Sequence, residues 1–156
     1  MIKLIIGNKG SGKTKKLIDQ VNVCVESSDG NVVCIEKEPK LTYDVSSKAR
    51  LLETETYLIN GHKAFYGFLA GICAGNYDVT DVLVDATFKI VGREYEKLPQ
   101  FFEMLSIRLY TFYYPNEYTA VVLPSQLEHN AYILERFAKD HQTSLKMTVG
   151  KMTSVY

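Results

Sequence analysis

Residues 7–14, which read GNKGSGKT, constrain the fold of this chain more than any other stretch. They match the pattern G-x-x-x-x-G-K-[S/T] at every fixed position. Glycines in this pattern allow backbone angles that a side chain would block, and the N–H groups of the loop and of the following helix point at phosphate. The lysine reaches the β- and γ-phosphates, and the hydroxyl holds Mg²⁺. The sequence therefore predicts a phosphate-binding loop made of Gly7, Asn8, Lys9, Gly10, Ser11, Gly12, Lys13 and Thr14.

The segments on either side of the loop fit this prediction. Ile2–Ile6 is an apolar run of the length of one buried strand. After the loop, Leu17, Val21 and Cys24 recur at helical spacing, while the lysines of this segment fall mostly on the opposite side. A strand before the loop and a helix after it is the context that the motif requires.

Further strands and helices alternate along the chain. The pattern predicts strands at 31–36, 50–54, 56–59, 82–85, 118–123 and 145–149, with the second and the last of these at sheet edges. It predicts helices from His62 to about Gly75, after Gly92, and from a capping box at 125–128, whereas 107–114 fits either a helix or a strand. Gly67, Gly71 and Gly75 share one helix face, and we expect that face to serve internal packing rather than a dimer contact. This alternation indicates an α/β fold with a mostly parallel central sheet.

Asp85 ends the apolar strand Val82–Val84 and is the second candidate site residue. A carboxylate at the end of a strand of this kind holds Mg²⁺, directly or through water, opposite the hydroxyl of the loop. We therefore expect Asp85 and Thr14 to lie within metal-bridging distance, with Asp85 on the strand beside the loop or one strand away. The alternative is that Asp85 only caps the turn that follows.

Composition narrows the class of protein. The chain has 156 residues, the size of a single domain spanning 1–156, with 18 basic and 18 acidic side chains and no net charge. This balance does not favour nucleic acid as a partner. The longest apolar stretch, 64–74, is too short to span a bilayer. Cys24, Cys34 and Cys73 form no C-x-x-C pair and are expected to be reduced core thiols, so we expect a cytoplasmic protein.

These motifs make the chain resemble a minimal P-loop nucleoside-triphosphate-binding domain, with the core motifs in its first ninety or so residues. The resemblance implies a P-loop NTPase-like three-layer sandwich that binds ATP, or another nucleoside triphosphate, with Mg²⁺. The chain also resembles short bacterial chains labelled "twitching motility protein". We expect no additional domain of the kind that pilus motor ATPases carry, and their acidic and histidine boxes are not found in these 156 residues, so this second resemblance implies only the nucleotide site.

Departures from the family pattern bear on catalysis. Many hydrolysing members place a glutamate directly after the strand-end aspartate, but Ala86 and Thr87 follow Asp85 here. Some members carry the acid on a neighbouring strand, which makes Glu36 the candidate base beside Lys13 as the other candidate catalytic residue. The alternative interpretation of Glu36 is a solvated carboxylate at the end of its strand. No arginine lies in a recognisable finger motif, so we expect slow hydrolysis, dependent on a homo-oligomer or a protein partner.

Two other functions remain open. The segment from Gly7 onwards is loosely similar to nucleoside kinases that carry a zinc ribbon, although the Asp-Glu pair and the C-x-x-C pairs of those enzymes are absent here. The aromatic stretch Leu109–Tyr114 also fits a nucleotide-dependent interaction module. The guanine-recognising Asn/Thr-Lys-x-Asp segment is absent, which favours ATP.

Overall fold

The computed structural model describes residues 2–7, 9–105, 119–124 and 146–149. The described strands are β1 (Ile2–Gly7), β2 (Asn31–Glu36), β3 (Arg50–Glu53), β4 (Val79–Val84), β5 (Thr119–Pro124) and β6 (Lys146–Val149). The described helices are α1 (Lys13–Ser27), α2 (His62–Gly75), α3 (Thr87–Val91) and α4 (Leu98–Met104), with a 3₁₀ turn at Tyr95–Lys97. Strands and helices alternate, so the α/β class is confirmed.

The six strands form one sheet in the order β3-β2-β4-β5-β1-β6. Every pairing between described strands is parallel, including β1 with β5 and β6, and β4 with β2 and β5. The carboxyl ends of all six strands therefore lie along one edge of the sheet. β3 and β6 are the two outer strands, as the sequence predicts.

Alternate residues of the central strands point to opposite faces, and each face is covered by its own group of side chains. On one face Leu17, Val21 and Cys24 of α1 pack with Val32 and Cys34 of β2. On the other face the neighbouring β2 residues, Val33 and Ile35, pack with helices α2, α3 and α4. The buried residues of these helices include Phe65, Leu69, Ile90, Phe101 and Phe102. Helices therefore lie on both faces of the sheet, because β2 and β4 are apolar on both sides.

The prediction of a strand at 56–59 is wrong. Residues 54–58 form turns, in which Leu58 N–H donates to the carbonyl of Glu55 and Ile59 N–H donates to that of Thr54. Leu58 has φ of 54°, in the left-handed region that strands do not use. The apolar composition of Tyr57, Leu58 and Ile59 does not reflect a buried strand, since Leu58 is 88% exposed.

Two features of the helices differ from the sequence-based expectation. The five-residue helix α3 directly after Asp85 and Ala86 was not predicted, because it is too short to show a period. The glycine face of α2 contacts nothing within the described residues: Gly67, Gly71 and Gly75 are exposed, and a methyl group added to any of them would meet no atom within 4 Å. Within that part of the chain, the interpretation of this face as an internal packing surface is wrong.

The remaining helices and strands follow the sequence pattern. α1, β2 and α2 begin and end close to the predicted residues, and Pro99 lies in the first turn of α4. The predictions for 107–114 and for a helix opened at 125–128 lie outside the described residues. Within the described ranges, no helix is both long and apolar enough to cross a membrane.

Candidate functional site

The predicted site residues meet at the carboxyl edge of the sheet. β1 ends at Gly7, at the start of the glycine-rich loop, and β4 ends at Val84, directly before Asp85. β5 lies between these two strands. α1 leaves β1 on one face of the sheet, while α3 and α4 follow β4 on the other face. Such a divergence of connections opens a crevice at the strand ends, where open parallel sheets bind ligands.

The glycine-rich loop depends on its glycines for backbone conformation. Gly10 and Gly12 have φ of 80° and 81°, the left-handed region in which a side chain is strained. Within the described residues, a methyl group at either position would meet no atom within 4 Å, so the requirement there is conformational rather than steric.

The start of α1 is strongly cationic and lacks a side-chain cap among the described residues. Gly12 is the residue that precedes the helix, and the first helical bond runs from Lys16 N–H to the carbonyl of Gly12. The helix itself therefore supplies no acceptor for the N–H groups of Thr14 and Lys15. Three of the four residues in the first turn are lysines, placed at the end of the helix where the dipole disfavours cations. This arrangement is electrostatically complementary to an anion.

Thr14 and Asp85 lie next to each other at this edge of the sheet. The Thr14 Oγ1 donates to Asp85 Oδ1 at 3.4 Å, long for a hydroxyl hydrogen bond. The predicted proximity of these two residues, with Asp85 one strand away from the loop strand, is confirmed. Neighbouring corners of an octahedral Mg²⁺ site are about 3 Å apart, so the two oxygen atoms fit adjacent ligand positions after a small approach.

The ionisable groups of the site influence one another. Burial lowers the pKa of Lys13, and the nearby Asp85 carboxylate partly offsets this effect. Burial raises the pKa of Asp85, while the Ala86 N–H, the Thr14 hydroxyl and the charges of Lys89 and Lys40 oppose the rise. Lys13 and Asp85 are therefore close enough to interact.

The other loop residues are less informative. Lys9 is exposed, and Ser11 carries a buried hydroxyl with no hydrogen-bond partner among the described residues. Gly7 is the last residue of β1, in register with Pro124 of β5. Asn8 lies outside the described residues.

Glu36 is not a solvated carboxylate, since it is 1% exposed. Its Oε2 accepts the backbone N–H groups of Lys40 at 2.9 Å and Leu41 at 3.1 Å, and so anchors the chain that follows β2. Its Oε1 is buried without a hydrogen-bond partner among the described residues. Burial raises the pKa of Glu36, and the two N–H groups oppose that rise, while Glu53 and Asp85 add to it. This geometry favours an anchoring role over the role of a base.

The cysteines do not add chemistry to the site. Cys24, Cys34 and Cys73 are buried and unbridged. Burial, with contributions from Glu36 and Asp85, raises the pKa of Cys34 to about 12, so its thiol stays neutral. Within the described ranges there is also no group of three or more histidine, cysteine or acidic residues that could hold a metal ion. A Mg²⁺ site of the expected kind needs no such group, because Mg²⁺ uses one or two protein oxygens together with phosphates and water.

Sequence reasoning missed the basic residues beside Asp85. Lys37 and Lys40 follow β2, and Lys89 lies four residues after Asp85. Their positions could have been predicted, because residues that follow adjacent parallel strands lie at the same edge of the sheet. This rule applies to the lysines as well as to the acidic residues Asp85 and Glu36.

Comparisons with protein-family models, with curated proteins and with solved structures find no match for this chain.

Proposed function

We propose that this chain is a P-loop nucleotide-binding protein that binds a nucleoside triphosphate, preferentially ATP, together with Mg²⁺. The loop between β1 and α1 would hold the phosphate chain, with Lys13 on the β- and γ-phosphates. Thr14 and Asp85 would hold the metal ion, which when bound neutralises charge on the phosphates.

One observation carries this proposal: the glycine loop leads directly into a cationic helix start that has no side-chain cap among the described residues, and Asp85 lies next to it. Lys13, Lys15 and Lys16 at the positive end of a helix repel one another and the dipole. A polyphosphate would relieve both effects and accept the N–H groups that the helix leaves over. An ordinary glycine turn has no need of a carboxylate 3.4 Å from the following threonine.

The chain's own residues support binding better than fast hydrolysis. Ala86 and the fully buried Thr87 follow Asp85 and supply no base. Glu36 holds two backbone N–H groups with one oxygen and is closed to solvent. An arginine supplied to such sites is worth about 10³ to 10⁵ in rate, and Arg50 and Arg93 are both exposed outside any such motif. We therefore propose slow basal hydrolysis, below about one turnover per second, that rises with a partner.

Equilibrium titration with Mg·ATP, and in parallel with Mg·GTP, tests the proposal. Each charge-assisted hydrogen bond to phosphate is worth about 1.5 to 3 kcal/mol, so Lys13→Ala should weaken binding by about 10- to 100-fold. Lys15→Ala removes an exposed lysine from the same turn and is the matched control, with an effect below about fivefold. If the wild-type chain binds neither nucleotide at millimolar concentration, the proposal is wrong.

A nucleoside kinase is separated from an ATPase by its acceptor. The test measures phosphate release with and without a panel of nucleosides. If the protein is an ATPase, the rate of release does not depend on the nucleosides. Consumption of ATP only in the presence of one nucleoside would replace the ATPase assignment with the kinase.

A further inference from the structure

Three lysines lie around Glu38, and two of them, Lys40 and Lys89, are close enough to Asp85 for their charges to act on it. Lys37 and Lys40 belong to the connection after β2, and Lys89 belongs to α3. Lys37 Nζ donates to the carbonyl oxygen of Lys89 at 2.9 Å, which ties the two segments together. Lys40 Nζ lies 2.6 Å from Glu38 Oε2, and both side chains are about half exposed. We call Lys37, Lys40 and Lys89 the lysine cluster.

The lysine cluster keeps an excess of positive charge. The charges of all three lysines act on Glu38 and lower its pKa. The charges of Lys89 and Lys40 also reach a second carboxylate, Asp85, whose pKa they lower against the effect of burial. Three ammonium groups thus face two carboxylates, so an additional anion beside Lys40 and Lys89 would be favourable.

The sheet order places Asp85 between the two sources of positive charge. β1, which leads into the loop and Lys13, lies on one side of β4 with β5 between them, and β2, which leads to Lys37 and Lys40, lies on the other side. Neighbouring strands are about 4.8 Å apart. A phosphate chain that begins at the loop and extends toward Asp85 therefore has its terminal group nearest to the lysine cluster.

We propose that Lys40 and Lys89 bind the terminal phosphate of the nucleotide and so make the site prefer a triphosphate to a diphosphate. This inference rests on the proposed function. Lysine is suited to the task because its ammonium group is a compact point charge that can turn toward phosphate oxygens. Lys40 would exchange Glu38 for the phosphate, and this exchange is easy because an exposed ion pair contributes little.

The lysine cluster replaces part of what an arginine finger supplies. Lys13 approaches the phosphates from the loop side, and Lys40 and Lys89 approach from the opposite side, so the terminal group would lie between cations. The connection after β2 is held in place by Glu36, through the backbone N–H groups of Lys40 and Leu41. Glu36 is accordingly a positioning residue for Lys40 and touches no phosphate itself.

The test is calorimetric titration of Mg·ADP and of Mg·β,γ-imido-ATP into the full chain. Lys40→Ala and Lys89→Ala should each weaken binding of the triphosphate by about 10- to 100-fold, the loss of one charge-assisted contact. The same variants should bind Mg·ADP with an affinity within about twofold of that of the wild type, since the diphosphate does not reach the lysine cluster. Glu38→Gln should strengthen triphosphate binding, because Lys40 then has no competing carboxylate.

Lys48→Ala is the matched control. Lys48 lies on the same connection after β2 and is exposed, but its carboxylate partner, 3.9 Å away, is Glu26 of α1. The Lys48→Ala substitution should leave the affinity for both nucleotides unchanged. Circular dichroism should show that the variants fold, because the Lys40 backbone N–H can still bond to Glu36.

Two results distinguish failure of this inference from failure of the proposed function. Suppose that the wild-type chain binds Mg·ADP, and that Lys40→Ala and Lys89→Ala change the affinity for neither nucleotide or change both affinities equally. This result overturns the role of the lysine cluster and leaves the nucleotide site intact. Wild-type chain that binds neither nucleotide overturns the proposed function itself.

Discussion

Two connections leave the same edge of the sheet and are held in opposite ways. The connection after β2, residues 37–49, is fixed by the protein itself: Glu36 accepts two of its N–H groups, Leu41 is 2% exposed, and Ser46 N–H bonds to Asn22 Oδ1 at 3.1 Å. The connection after β1 is the glycine loop, which has two left-handed glycines, a buried Ser11 hydroxyl without a partner among the described residues, and a cationic helix start. The first connection is held by hydrogen bonds within the protein, whereas we propose that the second binds an anion.

The comparison separates stability from binding. Changes in the connection after β2 should reduce the free energy of unfolding and affect nucleotide only through Lys40. Changes in the glycine loop should alter nucleotide binding with little effect on the unliganded fold, except where they strain the backbone.

The largest expected effect is on Glu36. Glu36→Ala leaves the N–H groups of Lys40 and Leu41 without their acceptor, and each unsatisfied buried group costs about 1 to 3 kcal/mol. Glu36→Gln keeps an oxygen acceptor of the same shape and should cost less than about 1 kcal/mol. Urea denaturation of both variants measures this difference. Equal stability of the two would show that Glu36 does not anchor the connection.

Nucleotide should stabilise the fold through the glycine loop. At about a hundred times its dissociation constant, Mg·ATP should add about 2.7 kcal/mol to the free energy of unfolding. The same denaturation experiment, with and without nucleotide, measures the gain. Lys13→Ala should leave the unliganded stability close to wild type and lose the gain, whereas Glu36→Gln should retain it. A gain that survives in Lys13→Ala would place the ligand elsewhere.

Two glycines form a matched pair for backbone conformation. Gly12→Ala puts a side chain at φ of 81° and should destabilise the fold by about 1 to 2 kcal/mol. Gly67→Ala lies on the exposed side of α2 and should stabilise the fold by about 0.5 to 1 kcal/mol, because alanine favours the helix and its methyl group would meet no atom of the described residues within 4 Å. Thermal unfolding checks both signs. Destabilisation by Gly67→Ala would show that the glycine face of α2 is covered, and sedimentation would then identify a second copy.

The smallest expected effect is on pH dependence. Burial raises the pKa of Glu36 in the folded state, with Glu53 and Asp85 adding to the rise, so the folded chain binds this proton more tightly than the unfolded chain. The contribution of Glu36 to stability is therefore fullest below its unfolded pKa of about 4.5 and falls as pH rises toward the folded pKa. The difference in stability between wild type and Glu36→Gln isolates this contribution from the other carboxylates. A difference that grows in favour of the wild type with rising pH would contradict the sign.

The sequence predicted the arrangement of the glycine loop and Asp85 better than that of the connection after β2. The glycine motif and the strand-end position of Asp85 are local patterns, and both depend only on which residues follow which strands. The anchoring role of Glu36 depends on the path of residues 37–41 folding back over the strand end, which no local pattern encodes. The lysine cluster is similar, because Lys37 and Lys89 meet only through the pairing of β2 with β4. Apolar composition misled the prediction at Leu58, where backbone hydrogen bonds of a turn outweigh strand propensity.

Hydrogen–deuterium exchange with and without Mg·ATP reports on both connections in one experiment. It tests whether the glycine loop binds the nucleotide while the connection after β2 is held by Glu36. We expect nucleotide to slow exchange strongly at residues 9–16, where loop and helix N–H groups would bind phosphate. The N–H groups of Lys40 and Leu41, already bonded to Glu36, should exchange slowly in both conditions. Strong protection at residues 9–16 that disappears in Lys13→Ala supports the assignment of the glycine loop as the nucleotide site. Unchanged exchange at residues 9–16 under saturating Mg·ATP would contradict it.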